Sequence, residues 1–251
     1  MSRFVGVEAL SFDLFETLVD WELERLPTIE WQGRTVPSTA GKLHQHLAAR
    51  YAVTLEQFMA AMGEVDRERG RPRVAAGREF PNAERFEAVV SQLGLDDVAL
   101  AAELGEMHVD MLRALTTMPA HHGAVLRRLA ERFPLALCSN FTHSPTALRV
   151  LEDCGLFSCF DVIVISDAVD SRKPARPIFD AVAERLGVAP DRVLHVGDRL
   201  EADVGGAAAL GMRTAWITRC VRDRERALAR YDGPSPDLEI TDLAELETHL
   251  G

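Results

Sequence analysis

From Phe4 to Phe12 the chain is mainly apolar and β-compatible, and the run breaks off at Asp13. A short apolar run ended by a polar residue predicts a buried strand. Trp21 to Val36 shows no period and carries Pro27 and Gly33, with Pro37 just beyond, which predicts irregular chain. From Ser38 to about Leu115 the apolar positions fall at helical spacing. Leu43, Leu47 and Tyr51 follow a Ser38 or Thr39 cap, and Phe58, Met59 and Met62 follow Thr54. Asn82 precedes Phe86, Val89, Val90 and Leu93, and Asp96 or Asp97 starts a further helix. Arg67 to Pro81, rich in Arg, Gly and Pro, predicts a loop or a break between helices, and no β-run is expected between Val36 and Met118.

Beyond Pro119 the pattern alternates. Leu135–Cys138, Val162–Ile165, Val193–Val196 and Thr214–Ile217 predict strands, with Leu238–Ile240 a short last one. Residues 123–132, 145–154, 177–186 and 205–210 predict the intervening helices, and another starts at Asp242. Such alternation predicts an α/β fold with a parallel sheet covered by helices. The helical stretch then reads as an insertion: residues 21–116 form a cap, and residues 1–20 with 117–251 form the core.

Composition narrows the partners. Of 251 residues, 47% are hydrophobic and 27% charged, which is ordinary for a globular protein. A formal net charge of -11 gives no electrostatic case for nucleic acid or an anionic membrane. A small anionic substrate must therefore meet a local positive site: a metal, a lysine or backbone N–H groups. The lysines are Lys42 and Lys173 alone. No apolar run reaches membrane-spanning length and no secretory pattern opens the chain, so a cytoplasmic location is expected. Cys138, Cys154, Cys159 and Cys220 form no Cys-x-x-Cys pair and read as free thiols, with Cys138 in the core.

Asp13, Ser139 and Asp198 each stand at or just past the end of a separate apolar run. In a parallel sheet those ends face one way, so the three can converge in one crevice, with Lys173 reaching it from the loop after Ile165. Taken singly, Asp13 could equally start a turn, and Asp203 could belong to a solvated acidic turn. Paired carboxylates near a third are how proteins hold Mg²⁺. His121-His122, near the cap crossing, and His143 read as local structure, with His143 close enough to the crevice to touch substrate.

These residues resemble the four motifs of the haloacid dehalogenase superfamily, in the subclass with a helical cap inserted after the first strand. Asp13 to Leu18 corresponds to its first motif, and Ser139-Asn140 to its second. Lys173-Pro174 with Phe179 corresponds to the third. Gly197-Asp198, Asp203, Gly206-Ala207 and Gly211-Met212 correspond to the fourth. The resemblance implies a Rossmann-like core and covalent catalysis, with Asp13 as nucleophile. It implies that Thr17, Ser139, Asn140 and Lys173 bind the transferring group. It implies Mg²⁺ on Asp13, the backbone carbonyl of Phe15 and Asp198, with Asp203 in the outer shell.

One position departs. Where phosphatases of the family carry a second Asp, this chain has Phe15, which cannot protonate a leaving oxygen. That help is worth about 10²–10⁴ in rate. The dehalogenases of the family also have an aromatic there. They lack the metal-holding Asp, which here is Asp198, and they carry Asn and Tyr where this chain has Leu200 and Phe179. Glu16 could supply a carboxylate if its loop turned inward. A phosphonate-cleaving relative uses a cap lysine, but nothing around Lys42 suggests a lowered pKa. In the cap, Arg67, Arg69, Arg71, Arg73, Arg78 and Arg85 could anchor a second anionic group or simply form a solvated surface. Three functions are therefore expected in order: an Mg²⁺-dependent phosphatase for a small phosphorylated metabolite, a carbon–halogen hydrolase, and an impaired protein that only binds phosphate and metal.

Overall fold

The computed structural model describes residue 4 and residues 6–250. The first strand, β1 (Ala9–Phe12), is buried on both faces. It starts five residues later than the sequence predicts, after Gly6 turns the chain at a φ of 86°. Leu10 and Phe12 enter one hydrophobic cluster and Ala9 enters another, as the two-residue period of a strand requires.

The stretch expected to be irregular contains β2 (Asp20–Trp21) and a hairpin of β3 (Thr28–Trp31) with β4 (Arg34–Pro37). Its two-residue turn, Gln32-Gly33, has φ of 50° and 73°. Two consecutive positive φ values are the tight hairpin geometry whose usual sequence is Asn-Gly. With Gln in the first position the signal was lost.

Five helices follow: α1 (Ala40–Ala48), α2 (Leu55–Val65), α3 (Arg71–Ala75), α4 (Asn82–Gln92) and α5 (Val98–Arg113). Thr54 caps α2 in a reciprocal box with Gln57, and Asp97 caps α5 by accepting from the Leu100 N–H. Asp66–Gly70 is a widened π turn that joins α2 to α3, so the expected break starts not at Arg67 but at Ala76, and it runs to Pro81. Charged side chains of the turn find partners: Asp66 pairs with Arg85, and Arg67 with Glu64 and Glu68. Leu43, Leu47, Phe58, Phe86, Leu100 and Leu104 give these helices a core of their own.

The chain returns through β5 (Thr116–Thr117), which pairs antiparallel with β2 and corrects the expectation of no β-structure before Met118. Helix α6 (His122–Ala130) leads to β6 (Leu135–Ser139), and α7 (Ser144–Asp153) to β7 (Val162–Ile165). Short α8 (Ser166–Val169), which the sequence did not reveal, and α9 (Arg176–Leu186) precede β8 (Val193–Gly197). A second π turn at Leu200–Gly205 shortens the expected next helix to α10 (Gly206–Ala209). Then come β9 (Arg213–Ile217), α11 (Arg224–Arg230), also unforeseen, β10 (Leu238–Ile240) and α12 (Leu246–His249).

Six strands make one parallel sheet in the order β10-β9-β8-β1-β6-β7. It is an α/β fold with a Rossmann-like core and an inserted helical cap. Among the described residues no helix is long and apolar enough to cross a membrane.

Candidate active site

The sheet grows from β1 through β6 and β7 on one side, then restarts at β8 on the other. Strand order reverses between β1 and β8, and crevices at such points hold ligands in open α/β sheets. Asp13 is the first residue past β1, and its N–H donates to the Val196 carbonyl at 2.9 Å. Asp198 is the first residue past β8. Both line a cavity of about 480 Å³, together with Phe15, Asn140, Lys173 and Asp203.

Lys173 ties the carboxylates together. Its Nζ lies 2.8 Å from Asp13 Oδ1 and 2.6 Å from Asp203 Oδ1, and its side chain is 2% exposed. Burial alone would lower this lysine, but Asp13 and Asp203 outweigh it and hold Lys173 above the ordinary range. It is a fixed positive charge.

Asp203 has further donors that the motifs did not announce. His195 Nε2 donates to Asp203 Oδ1 at 3.2 Å, and the Arg199 N–H donates to Oδ2 at 2.9 Å. The other nitrogen, His195 Nδ1, is 3.0 Å from Ser11 Oγ, and the ring sits edge-on to Phe179 at 5.2 Å. Burial would raise Asp203, but Lys173 and His195 hold it well below the usual carboxylate range. Gly197 is required here, because a Cβ would lie 2.2 Å from Asp203 Cγ. The one sequence signal for this network is a histidine inside the apolar run Val193–Val196.

Asp198 is the opposite case. Burial, then Asp203 and Asp13, push its carboxyl up to about 8. Asp13 too is raised, first by burial, despite Lys173. Asp13, Asp198 and Asp203 offer oxygens within 4.8 Å of one another, against the single ammonium of Lys173. Such an oxygen-only, charge-rich donor set fits a hard divalent cation of the Mg²⁺ type.

Beside this polar floor stands an aromatic wall. Phe15 stacks on Trp21 at 4.5 Å and meets Phe141 at 5.0 Å. The carboxylate of Glu16 accepts from the Trp21 N–H at 2.9 Å, which fixes it to the turn after β1. Neither position offers a free acid to a leaving group.

The remaining expected residues divide. Thr17 and Ser139 are fully buried, and both hydroxyls lack a hydrogen-bond partner. Buried polar groups are nearly always paired, so two orphans, Thr17 in the turn after β1 and Ser139 at the end of β6, leave donors available. Asn140 lines the cavity, but its amide is engaged with the Lys173 backbone, donating at 2.9 Å and accepting at 2.8 Å. It positions the lysine. His143 does not line the cavity; its ring bonds Thr146 Oγ1 at 2.9 Å. Four of the cap arginines, Arg67, Arg73, Arg78 and Arg85, are in ion pairs, while Arg71 lines a separate cap cavity of about 450 Å³. Burial pushes the Cys138 thiol up to about 12, as befits a core residue.

Comparison with known proteins agrees with this architecture. The haloacid dehalogenase-like hydrolase family profile matches residues 7–211. The chain is 27% identical over 243 residues to 5-amino-6-(5-phospho-D-ribitylamino)uracil phosphatase YigB of Escherichia coli, covering 96% of this chain and 94% of that one. It is 29% identical over 168 residues to pyrimidine 5'-nucleotidase YjjG of Escherichia coli, covering 66% and 69%. A 2-haloacid dehalogenase from Pseudomonas syringae superposes with a TM-score of 0.71 at 22% identity, covering 97% of each chain. The magnesium-bound HAD-hydrolase YfnB of Bacillus subtilis superposes with a TM-score of 0.61 at 21% identity, covering 98% and 100%. At these identities the two structures speak to the fold.

Proposed function

Because the chain belongs to the haloacid dehalogenase-like hydrolases, we propose that it is an Mg²⁺-dependent phosphatase acting on a small phosphorylated metabolite. The observation that carries this reading is the cluster of three carboxylates around one lysine. If all are ionised they leave a net charge near −2, which would repel a phosphate dianion unless a divalent cation sits among them. Both named relatives in Escherichia coli, by their names, are enzymes of phosphorylated small molecules.

In this reading Asp13 attacks phosphorus through Oδ2, the leaving oxygen departs with the bonding pair, and an aspartyl-phosphate forms. Thr17 and Ser139 donate to the non-bridging oxygens, which satisfies their orphan hydroxyls. Lys173 holds Asp13 in line and opposes charge on the transferring group. Water then attacks phosphorus and releases Asp13. Asp13, the Phe15 carbonyl and Asp198 would hold Mg²⁺, with Asp203 one shell out, and the ion would supply charge neutralisation. With Phe15 in the acid's place, substrates whose leaving oxygen departs unprotonated are favoured. We assign the chemistry to residues 1–20 and 117–251 and substrate selection to the cap, residues 21–116. We place the enzyme in the cytoplasm, where its four free cysteines stay reduced.

A second reading, carbon–halogen hydrolysis, rests on the aromatic wall of Phe15, Trp21 and Phe141, since a halide needs no proton to leave. The deciding assay is hydrolysis of p-nitrophenyl phosphate with and without Mg²⁺. Mg²⁺-dependent release that disappears in Asp13→Asn supports the phosphatase. Inactivity there, with halide release from a 2-haloacid, would replace it with the second reading. Inactivity in both would leave a binding protein.

A further inference from the structure

A second group of ligand-type side chains lies apart from the cavity. His121 immediately precedes α6 and His122 is its first residue, just after the chain returns from the cap. Asp242 stands in front of the last helical segment, where its side chain accepts from the Ala244 N–H. One atom from each of the three lies within 4.8 Å of the others.

His122 gives this group its chemical character. The ring is fully buried, and Nδ1 is 2.9 Å from the carbonyl oxygen of Leu18. A carbonyl can only accept, so Nδ1 carries the hydrogen and Nε2 of the neutral ring keeps its lone pair. That Nε2 is buried, has no hydrogen-bond partner, and faces Asp242 Oδ2 at 4.0 Å. A histidine that gives one N–H to a backbone carbonyl and presents its other lone pair to an open spot is arranged as a metal ligand. His121 Nε2 approaches the same carboxylate at 2.9 Å. Bonds of 2.0–2.1 Å at tetrahedral angles set neighbouring ligands about 3.4 Å apart, between the two distances found here. Shifts of about half an ångström complete the geometry.

We propose that His121, His122 and Asp242 form a binding site for a divalent transition-metal ion of the Zn²⁺ class, distinct from the carboxylate cluster around Asp13. Two imidazole nitrogens and one carboxylate suit such an ion, whereas the all-oxygen cluster suits Mg²⁺. The partly exposed side chains of His121 and Asp242 leave an entry path and a fourth position for water. Two helical starts meet at the site and would by themselves favour an anion, so binding depends on the Asp242 charge. Arg219, the neighbouring cation, is committed to Asp20. An ion here fastens the turn after β1, the start of α6 and the carboxyl-terminal segment to one point. This proposal is independent of the phosphatase reading.

The test is equilibrium dialysis of the full chain against Zn²⁺ in excess Mg²⁺, with Co²⁺ as a spectroscopic substitute. One Zn²⁺ per chain and visible Co²⁺ bands of a low-coordinate nitrogen–oxygen site are expected. Both should survive in Asp13→Asn. His121→Ala and Asp242→Asn should weaken binding by more than the ~100-fold that marks loss of an outer-shell partner. His121 is about half exposed, and Asn retains the Asp242 cap, so both variants keep the fold, which circular dichroism checks. Absence of binding overturns the site, as does binding that disappears in Asp13→Asn or persists unchanged in His121→Ala and Asp242→Asn.

Discussion

Replacing Phe15 by Asp separates the roles of the acid and the aromatic wall. The ring is 9% exposed and stacks against Trp21 and Phe141. Losing two aromatic contacts removes about 0.5–1.5 kcal/mol each, and losing the buried ring removes about 1.5–3 kcal/mol more. A total of about 2.5–6 kcal/mol brackets the range of large-to-small core substitutions and is within the stability of most domains. Against that, a general acid is worth about 10²–10⁴ in rate, or about 2.7–5.4 kcal/mol of barrier. The gain should fall on poor leaving groups. We expect kcat/KM for an alkyl phosphate such as glycerol phosphate to rise at least tenfold in Phe15→Asp under saturating Mg²⁺, with little change for p-nitrophenyl phosphate. Phe15→Ala, which loses the same packing without adding a carboxylate, should show no rise. Equal gains on both substrates, or the same gain in Phe15→Ala, would refute the assignment of the missing acid to this position.

Asp203→Asn should destabilise the protein by about 3–5 kcal/mol in urea, because Asp203 is 1% exposed and accepts from Lys173, His195 and Arg199. An amide can accept on one side only, and a loss below about 1 kcal/mol would contradict the network. Stability in EDTA should fall as pH rises from about 7 through 8. Asp198 is pushed up to about 8 and Asp13 is also raised, while burial holds His108, His122 and His195 below the usual histidine range. It is therefore between about pH 7 and pH 8, where histidines are neutral in both states, that the folded chain binds more protons than the unfolded one. The carboxyl contribution is lost as pH passes about 8, and Mg²⁺ should flatten the slope between pH 7 and pH 8. Urea midpoints that rise over this range in EDTA would reverse the sign and sink the argument.

Strand ends were the readable part of the site. Asp13 and Asp198 each close an apolar run, and parallel strands bring such ends to one edge. Reach across the sheet was not readable. His195 is a lone polar residue in a strand, and only the fold shows that it meets Asp203. Asn140 lies where the motif puts it, yet its amide serves Lys173, and the Glu16 carboxylate serves Trp21. In the cap the helices with a clear apolar face were legible, while the Arg-rich turn at Asp66–Gly70 was not. The turn carries no apolar period, and its one ion pair to another helix, Asp66 with Arg85, is visible only in the fold.

The register of β1 also sets an order of assembly. Leu10 pairs with Leu135 on one side and with Leu194 on the other, so this strand finds no sheet neighbour until more than half the chain exists. At about 5–20 residues per second of synthesis, its apolar edge waits on the order of 10 s or longer. The cap cluster is complete once Leu104 has been made, well before either neighbour of β1 emerges. The insertion is thus able to collapse first and to stand beside the waiting strand. Asp13 and Asp198 come together only when β8 docks, which makes the carboxylate-lined crevice among the last features a nascent chain acquires.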